Sequence, residues 1–300
     1  MATVLEERPA VELPRRRGVT QRGRVRQMRR PNRLVYLTLI AFIFFSAFAL
    51  YWGAVVASRT STALSQFPPP LSPGANLFSN IGKAFQRVEF SKALVNSFIV
   101  AGSVTLSVVF FSTLAGFAFA KLRFRGRNAL MLTVIATMMV PTQLGIIPLY
   151  IMMINLHWTN HLQAVIAPGM VTAFGVFFMR QFLVEAVPTE LLEAGRMDGC
   201  SMIRLVWHVV FPAARPGAAV LGMLTFLMTW NDFLWPLVVL SPQNPTVQVA
   251  MSTLSAGSGY TVDYSVVMAG TVVGVLPLLL VFVVLGKHII SGIMQGAVKG

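Results

Sequence analysis

Residues 190–216 read ELLEAGRMDGCSMIRLVWHVVFPAARP and interrupt a chain whose other segments are mostly Leu, Val, Ile, Phe and Met. Val187-Pro188-Thr189-Glu190 starts a helix: proline is tolerated in a first turn, and Thr189 or a neighbour is placed to cap it. Glu190 and Glu193 fall near the positive end of that helix dipole. Asp198-Gly199 ends the helix, Ser201 is set to cap a second short one, and Pro212 and Pro216 close the segment. Ala194, Gly195 and Gly199 leave a low-relief surface that another protein could approach closely. Leu191, Leu192 and Met197 would be exposed apolar surface unless something covered them. In the plainer reading this helix–turn–helix packs on lipid headgroups or neighbouring segments. In the sharper one it is a docking surface for a soluble cytoplasmic partner.

The rest of the composition says where such a hairpin sits. Of 300 residues, 55% are hydrophobic and 11% charged, about half the charged fraction of a soluble domain. Several runs exceed the roughly 18 apolar residues of a bilayer-spanning helix. Strands of a membrane barrel would alternate polar and apolar residues over about ten positions, whereas these runs are longer and apolar on every side. The expected class is an all-α integral membrane protein with six spans, near residues 34–57, 93–120, 129–152, 162–184, 213–240 and 265–286. Residues 1–33 read as a disordered basic tail and 34–300 as one transmembrane domain, with the hairpin loop at about 185–212.

The basic residues sort sharply between alternate links. Ten arginines precede residue 34; Lys121, Arg123, Arg125 and Arg127 fill the second link, and Arg180, Arg196, Arg204 and Arg215 surround the hairpin. Lys287 and Lys299 lie in the tail, whereas 153–161 and 241–264 carry no Lys or Arg and 58–92 carries four. By the positive-inside rule both termini and the 185–212 loop face the cytoplasm of a multi-pass plasma-membrane protein. The net charge of +14 therefore reflects topology and contact with anionic lipid. The Arg-rich tail could be read as RNA-binding, but it has no aromatic side chain on which to stack a base, so a topogenic tail that touches anionic lipid is the reading and no nucleic-acid partner is expected. The first apolar run, about 24 residues, is too long for a cleaved signal and stays as an anchor. Beyond it, Phe67-Pro68-Pro69-Pro70 and Ser72-Pro73-Gly74 mark turns, and Asn76–Lys92 reads as an amphipathic helix on the membrane surface.

Catalytic chemistry is missing from the sequence. There is no G-x-x-x-x-G-K-[ST] phosphate loop, no catalytic triad and no zinc-protease motif. His157 and His161 have i,i+4 spacing but flank Trp158 at a membrane edge, which reads as an interfacial anchor before a metal site. The lone Cys200 excludes a disulfide framework. Asp232, beside Asn231, is the one clear ionisable residue inside a span and must face protein or water; helix packing and pathway lining are equal readings. Pro141-Thr142-Gln143 and Pro148 bend span three, and Gly270 and Gly274 read as close helix contact.

With these motifs in place a resemblance emerges. Glu190–Pro216 resembles the EAA loop of ABC-importer permeases, whose pattern is E-A-A-x3-G followed by a proline near the next span. Trp230-Asn231-Asp232-Phe233 with Pro236, and the C-terminal SGIMQGAVKG of Ser291–Gly300, extend the likeness over roughly residues 34–300 to the MalG-type subunit of carbohydrate importers. That resemblance implies a type I ABC-importer permease fold with a cytoplasmic coupling helix, and a transport subunit with no catalysis of its own. It implies a MalF-type second permease, an extracytoplasmic sugar-binding protein or lipoprotein, and two cytoplasmic ATPases that carry ATP and Mg. Glu190, Glu193, Ala194, Gly195, Asp198 and Gly199 would couple to an ATPase, and Gln295, Gly296 and Lys299 would touch it near the C-terminus. Asn231 and Asp232 would serve the pathway or its packing. The implied cargo is a di- or oligosaccharide; the alternatives are an ABC permease for another small solute, or a secondary carrier. One departure is Gly195 in the third position of E-A-A, which implies a more pliable coupling helix.

Overall fold

An apolar run in a bilayer must satisfy its own amides, and the chain does so with helices throughout. The computed structural model describes residues 32–64, 66–257 and 262–297, with side chains as far as Val284. In order come α1 (Arg33–Ala57), α2 (Ser61–Leu64), α3 (Leu77–Arg87), α4 (Phe90–Lys121) and α5 (Arg127–Met138). A 3-10 turn (Thr142–Gly145) leads into α6 (Ile146–Asn155), followed by α7 (Gln163–Gly169), α8 (Ala173–Ala186), α9 (Thr189–Met197) and α10 (Met202–Leu205). A π-helical turn (Val206–Val210) opens into α11 (Phe211–Trp230), and α12 (Leu234–Val239), α13 (Val247–Ala256) and α14 (Tyr264–Ala297) complete the chain. Residues 1–31, which carry the basic-tail reading, lie outside the described residues.

Four of these helical runs are long and apolar enough to cross a membrane: α1, α4, the continuous stretch Met202–Trp230, and Tyr264–Val284 of α14. Two bent pairs would bring the number to six if each is a single span: α5 with the 3-10 turn and α6, bent by 89°, and α7 with α8, bent by 41°. The sharper bend begins at Pro141. Pro148 takes no part in it, because it stands in the first turn of α6, where a missing N–H leaves no bond unmade. At the gentler break the Met170 carbonyl accepts from Ser107 Oγ at 2.9 Å, and Thr172 Oγ1 caps α8 by accepting from the Gly175 N–H at 3.1 Å.

The expected fifth span, 213–240, is displaced. Its helix begins at Met202 and ends at Trp230, with Asn231 as the C-cap. Pro212, expected to close the loop, instead sits in the first turn of α11 just past the π turn, whose wider bonding carries the helix up to it. The surface helix expected over 76–92 is α3, which stops at Arg87, and Phe90–Lys92 belong to α4.

The chain divides into two compact units, 1–47 and 48–300. The described part of the first is the leading half of α1, in which the Thr38 hydroxyl returns to the Leu34 carbonyl at 2.8 Å. In the second, α4 is the axis, and small residues let α8 and α11 approach it. A Cβ on Gly116 would stand 2.7 Å from the Arg180 amide nitrogen and 2.8 Å from the Met179 carbonyl carbon; one on Gly175 would strike Ser112 Oγ. Gly217 of α11 likewise makes room for the Phe182 ring. Two buried clusters result. One gathers Val104, Val108, Met179, Leu183 and Leu221, the other Phe90, Phe226, Trp230, Val247 and Val266. The Trp230 indole N–H donates to the Gly274 carbonyl at 3.2 Å, which ties α11 to α14 at the Gly270/Gly274 step.

Away from the bundle core, Asp263 joins three elements. It accepts from Ser61 Oγ, from the Val266 N–H at the start of α14, and from Arg87 at 3.2 Å. Partial desolvation pushes its carboxyl up, but the bonds from Ser61 and Val266 and the Arg87 charge outweigh that, and its pKa lies below the ordinary value. A depressed carboxylate stabilises the fold above its unfolded pKa of about 3.9 and loses that contribution as pH falls through the folded value.

Two outcomes test this packing. Gly116→Ala forces α4 and α8 apart and should cost about 1–3 kcal/mol, seen as a lower unfolding temperature in detergent. Gly102→Ala, in the same helix where a Cβ meets no described atom within 4 Å, should not lower that temperature and should raise it through a gain of up to about 1 kcal/mol in helix propensity. The protection of amides in residues 77–87, measured relative to their intrinsic exchange at each pH, should be constant from pH 7 to 5 and fall below about pH 4. In Asp263→Asn that loss of protection should already be present at pH 7.

Candidate functional site

Two structures stand out by geometry, the α9–α10 hairpin and a cavity between the broken helices. The hairpin begins where α8 ends. Val187 is fully buried and Pro188, in extended geometry (ψ 141°), takes the N-cap position of α9. No side chain caps this end, so the capping expected of Thr189 is not made and Thr189 is the first helical residue.

The turn after α9 is closed by backbone bonds. The Cys200 N–H reaches back to the Gly195 carbonyl at 2.9 Å and the Gly199 N–H to Arg196 at 3.0 Å, the paired bonds of a Schellman motif. Gly199 holds φ +75°, a conformation open to glycine at little cost. Ser201 then caps α10, its hydroxyl accepting from the Arg204 N–H at 3.4 Å. The π turn carries this short helix into α11 without a break.

Leu192 is only 6% exposed and joins the larger cluster beside Val187, Leu183 and Val210, so it is not part of the outer surface as the sequence suggested. A helix resting on a bundle must root one residue per turn in it, and Leu192 is that root. Leu191 and Met197, at 48% and 88% exposure, do face outward, as do Glu190, Glu193, Ala194, Arg196, Asp198 and Gly199. No ion pair among the described residues engages Glu190, Glu193, Arg196 or Asp198. Ile203 and Trp207 extend this outer face along α10 and the π turn.

Gly195 has a packing role that its motif position hides. A Cβ there would lie 2.5 Å from Leu205 Cδ2, and Leu205 is buried. With no side chain at Gly195, the Leu205 methyl packs directly on α9, and a Cβ there would oblige that methyl to shift. The hairpin also shares an end of the bundle with the basic link: Lys121 Nζ donates to the Val184 carbonyl near the end of α8 at 2.9 Å.

The cavity measures about 870 Å³. Thr142 and Gln143 come from the 3-10 turn, Pro168, Gly169 and Thr172 from the break between α7 and α8, and Thr229, Asp232 and Trp235 from the junction of α11 and α12. Asn231 and Asp232 separate here. Asn231 turns to packing, its Nδ2 donating to the Leu227 carbonyl at 2.8 Å and its Oδ1 accepting from Gln248 at 3.4 Å. Asp232 lines the cavity, its carboxylate beside the N–H groups of Trp235 and Phe233.

Polar groups tie together the segments around α7 and α12, the helices that supply Val165 and Trp235 to the lining. The Trp235 indole N–H donates to the Ala164 carbonyl at 3.0 Å. Asn160 donates its N–H to Val239 at 2.7 Å and accepts from Ser241 and Asn244; Asn244 in turn accepts from Asn96 at 3.0 Å. Thr172, Thr229 and Trp235 were not singled out in the sequence, although the Pro168-Gly169 dipeptide signals the second break. His161 Nδ1 lies 3.0 Å from the Thr159 carbonyl, and no group of three His, Cys, Asp or Glu converges among the described residues. Gln295 and Gly296 fall at the end of α14, where side chains lie outside the described residues, as does all of Lys299.

Comparison with known proteins gives a consistent result. A family model described as binding-protein-dependent transport system inner membrane component matches residues 108–295. The lactose transport system permease protein LacG of Rhizobium radiobacter is 32% identical over 271 residues, covering 90% of this chain and 97% of that protein. The arabinooligosaccharides transport system permease protein AraQ of Bacillus subtilis (strain 168) is 34% identical over 212 residues, 70% of this chain and 74% of the relative. The sn-glycerol-3-phosphate transport system permease protein UgpE of Yersinia enterocolitica is 30% identical over 267 residues, 87% and 95%. Among solved structures, a chain of a bacterial ABC transporter involved in importing the acidic polysaccharide alginate superposes with a TM-score of 0.74 at 21% identity, over 85% of this chain and 95% of that one.

The contact between Gly195 and Leu205 yields a double-mutant test. Gly195→Ala should speed amide exchange across residues 189–205, because the helix propensity gained, about 1 kcal/mol, does not restore the lost fit. Adding Leu205→Val, which removes the offending methyl, should recover much of the protection, a non-additivity of about 0.5–3 kcal/mol.

Proposed function

We propose, on the premise that the chain belongs to the family of binding-protein-dependent transport system inner membrane components, that it is one of two permeases in an ATP-driven sugar importer. The observation that carries this reading is the α9–α10 hairpin: rooted by Val187 and Leu192, closed by a Schellman turn, and exposed along Glu190, Glu193, Ala194, Asp198 and Gly199. That face fits a cleft in a soluble ATPase, and nucleotide-driven closure of a pair of ATPases would move it as a unit. Gly195 acts from inside, by seating α10. The ATPases hold ATP and Mg, and Gln295, Gly296 and Lys299 are the C-terminal residues assigned to their contact.

The orientation follows from charge. Lys121, Arg123, Arg125 and Arg127 sit at the hairpin end of the bundle, which makes that end cytoplasmic, with both termini on the same side. A MalF-type permease supplies the other half of the pathway. An extracytoplasmic binding protein or lipoprotein delivers the solute from the side of Asn160 and Asn244. The cavity lined by Thr142, Gln143, Thr229 and Asp232 is this chain's share of the pathway.

For cargo, the relatives named for lactose and arabinooligosaccharides support a di- or oligosaccharide. The relative named for sn-glycerol 3-phosphate supports a second reading, an anionic small solute.

The docking face is tested by Glu193→Lys, which reverses an exposed charge that has no ion pair among the described residues. Expected are normal amounts of the chain in the membrane, loss of the ATPase from a gentle-detergent pull-down, and solute uptake reduced at least tenfold. Wild-type uptake with the ATPase retained would overturn the docking assignment.

A further inference from the structure

The cavity distinguishes between the two classes of cargo. Its volume of about 870 Å³ lies within the range of roughly 300–1,000 Å³ typical of small-molecule sites. Its polar lining comes from Thr142, Gln143, Thr172 and Thr229, three hydroxyls and a hydroxyl-like spread of amide donor and acceptor around Asp232. Among the described lining residues Asp232 is the one ionisable group; no Lys, Arg or His lines the space. The nearest links rich in basic residues lie at the hairpin end of the bundle, beyond the Lys121 end of α4, whereas Val104 of the lining sits midway along that helix.

A carboxylate in such a setting acts in two opposite ways. Solute hydroxyls can donate to it, and a charged acceptor makes those bonds shorter and stronger than neutral ones. A second negative charge brought beside it finds no counter-charge among the described lining residues of this chain, and the apolar walls of Val104, Ile146, Leu149, Val165 and Leu234 weaken the screening that water would give.

We propose that Asp232 makes this cavity a charge filter that admits neutral polyhydroxylated solutes and turns away anionic ones, such as sugars bearing carboxylates or phosphates. The proposal rests on the pathway reading above and narrows the cargo to an uncharged saccharide. Thr142, Gln143 and Thr229 supply the exchangeable hydrogen bonds that let a sugar pass, and Asp232 supplies the discrimination.

The test reads the local field directly, without the cargo being known. Thr229→Cys is made in the full transporter, assembled with its partners in native-lipid vesicles. The position-229 thiol is reacted with two methanethiosulfonates of similar size, one bearing a trimethylammonium and the other a sulfonate. Modification is followed by mass at that peptide, so Cys200 needs no replacement. With Asp232 present, the cationic reagent should be favoured over the anionic one by about tenfold beyond their ratio on a free thiol. In Asp232→Asn, which keeps the shape and removes the charge, that preference should vanish. An equal ratio with and without the carboxylate would overturn the filter while leaving the water-filled pathway intact. No reaction with either reagent, at position 229 and at a parallel Gln143→Cys, would overturn the pathway reading and the filter with it.

Discussion

A backbone carbonyl released inside a bilayer has no water to turn to, so every break in an apolar helix must be met by a partner from elsewhere in the chain. This constraint organises the protein. At the break between α7 and α8, Ser107 of α4 reaches the Met170 carbonyl while Thr172 caps the helix that follows. At the end of α11, Asn231 caps with its own backbone and side chain. The 3-10 turn after Pro141 takes the remaining bend. These repaired ends border one cavity, where irregular backbone at membrane depth is tolerated because it lines a space. The same device, a helix interrupted and then satisfied, creates both the bend and the polar surface beside it.

Close packing around α4 keeps those breaks in register. Gly116 lets α4 meet the backbone of α8, Gly175 lets α8 close on the Ser112 and Val108 side chains of α4, and Gly217 admits Phe182 between α8 and α11. A cavity bordered by three separate junctions is held open when the rods between them cannot slide. The hairpin uses the same economy at a smaller scale: one missing side chain at Gly195 seats Leu205, and one positive φ at Gly199 turns the chain. Its outer residues are left free of internal ion pairs among the described residues, so their charge is available to a partner.

Much of this was legible in the sequence, and the failures share a cause. Length and uniform apolarity located α1, α4 and the membrane part of α14 within a few residues, because those signals are local. The helix-ending role of Asp198-Gly199 and the capping by Ser201 were also local and readable. What misled was the fate of individual residues that depends on contacts distant in sequence. Pro212 looked like a terminator, yet a π turn carries the helix into it. Leu192 looked like exposed surface, yet it faces Val187 and Val210. Gly195 looked like a loss of helix propensity, yet it is a contact point for a residue ten positions on. Asn231 and Asp232 looked like one polar pair, and only the end of α11 between Trp230 and Leu234 turns them in different directions. The secondary-carrier alternative gives way to the family match, which no single motif in the chain could have secured.

The stretch from Met202 to Trp230 is continuous helix, 29 residues long and therefore about 43 Å from end to end. Its foot is the second arm of the hairpin, and its head carries Thr229 and the approach to Asp232. A rod of that length has leverage: a tilt of a few degrees at the foot displaces the head by several ångströms. Two places near the foot can absorb such a motion: the π turn at Val206–Val210, with its looser bonding, and Pro216 inside α11, which lacks an N–H to donate. The second arm of the hairpin and one wall of the cavity are thus the two ends of a single helix.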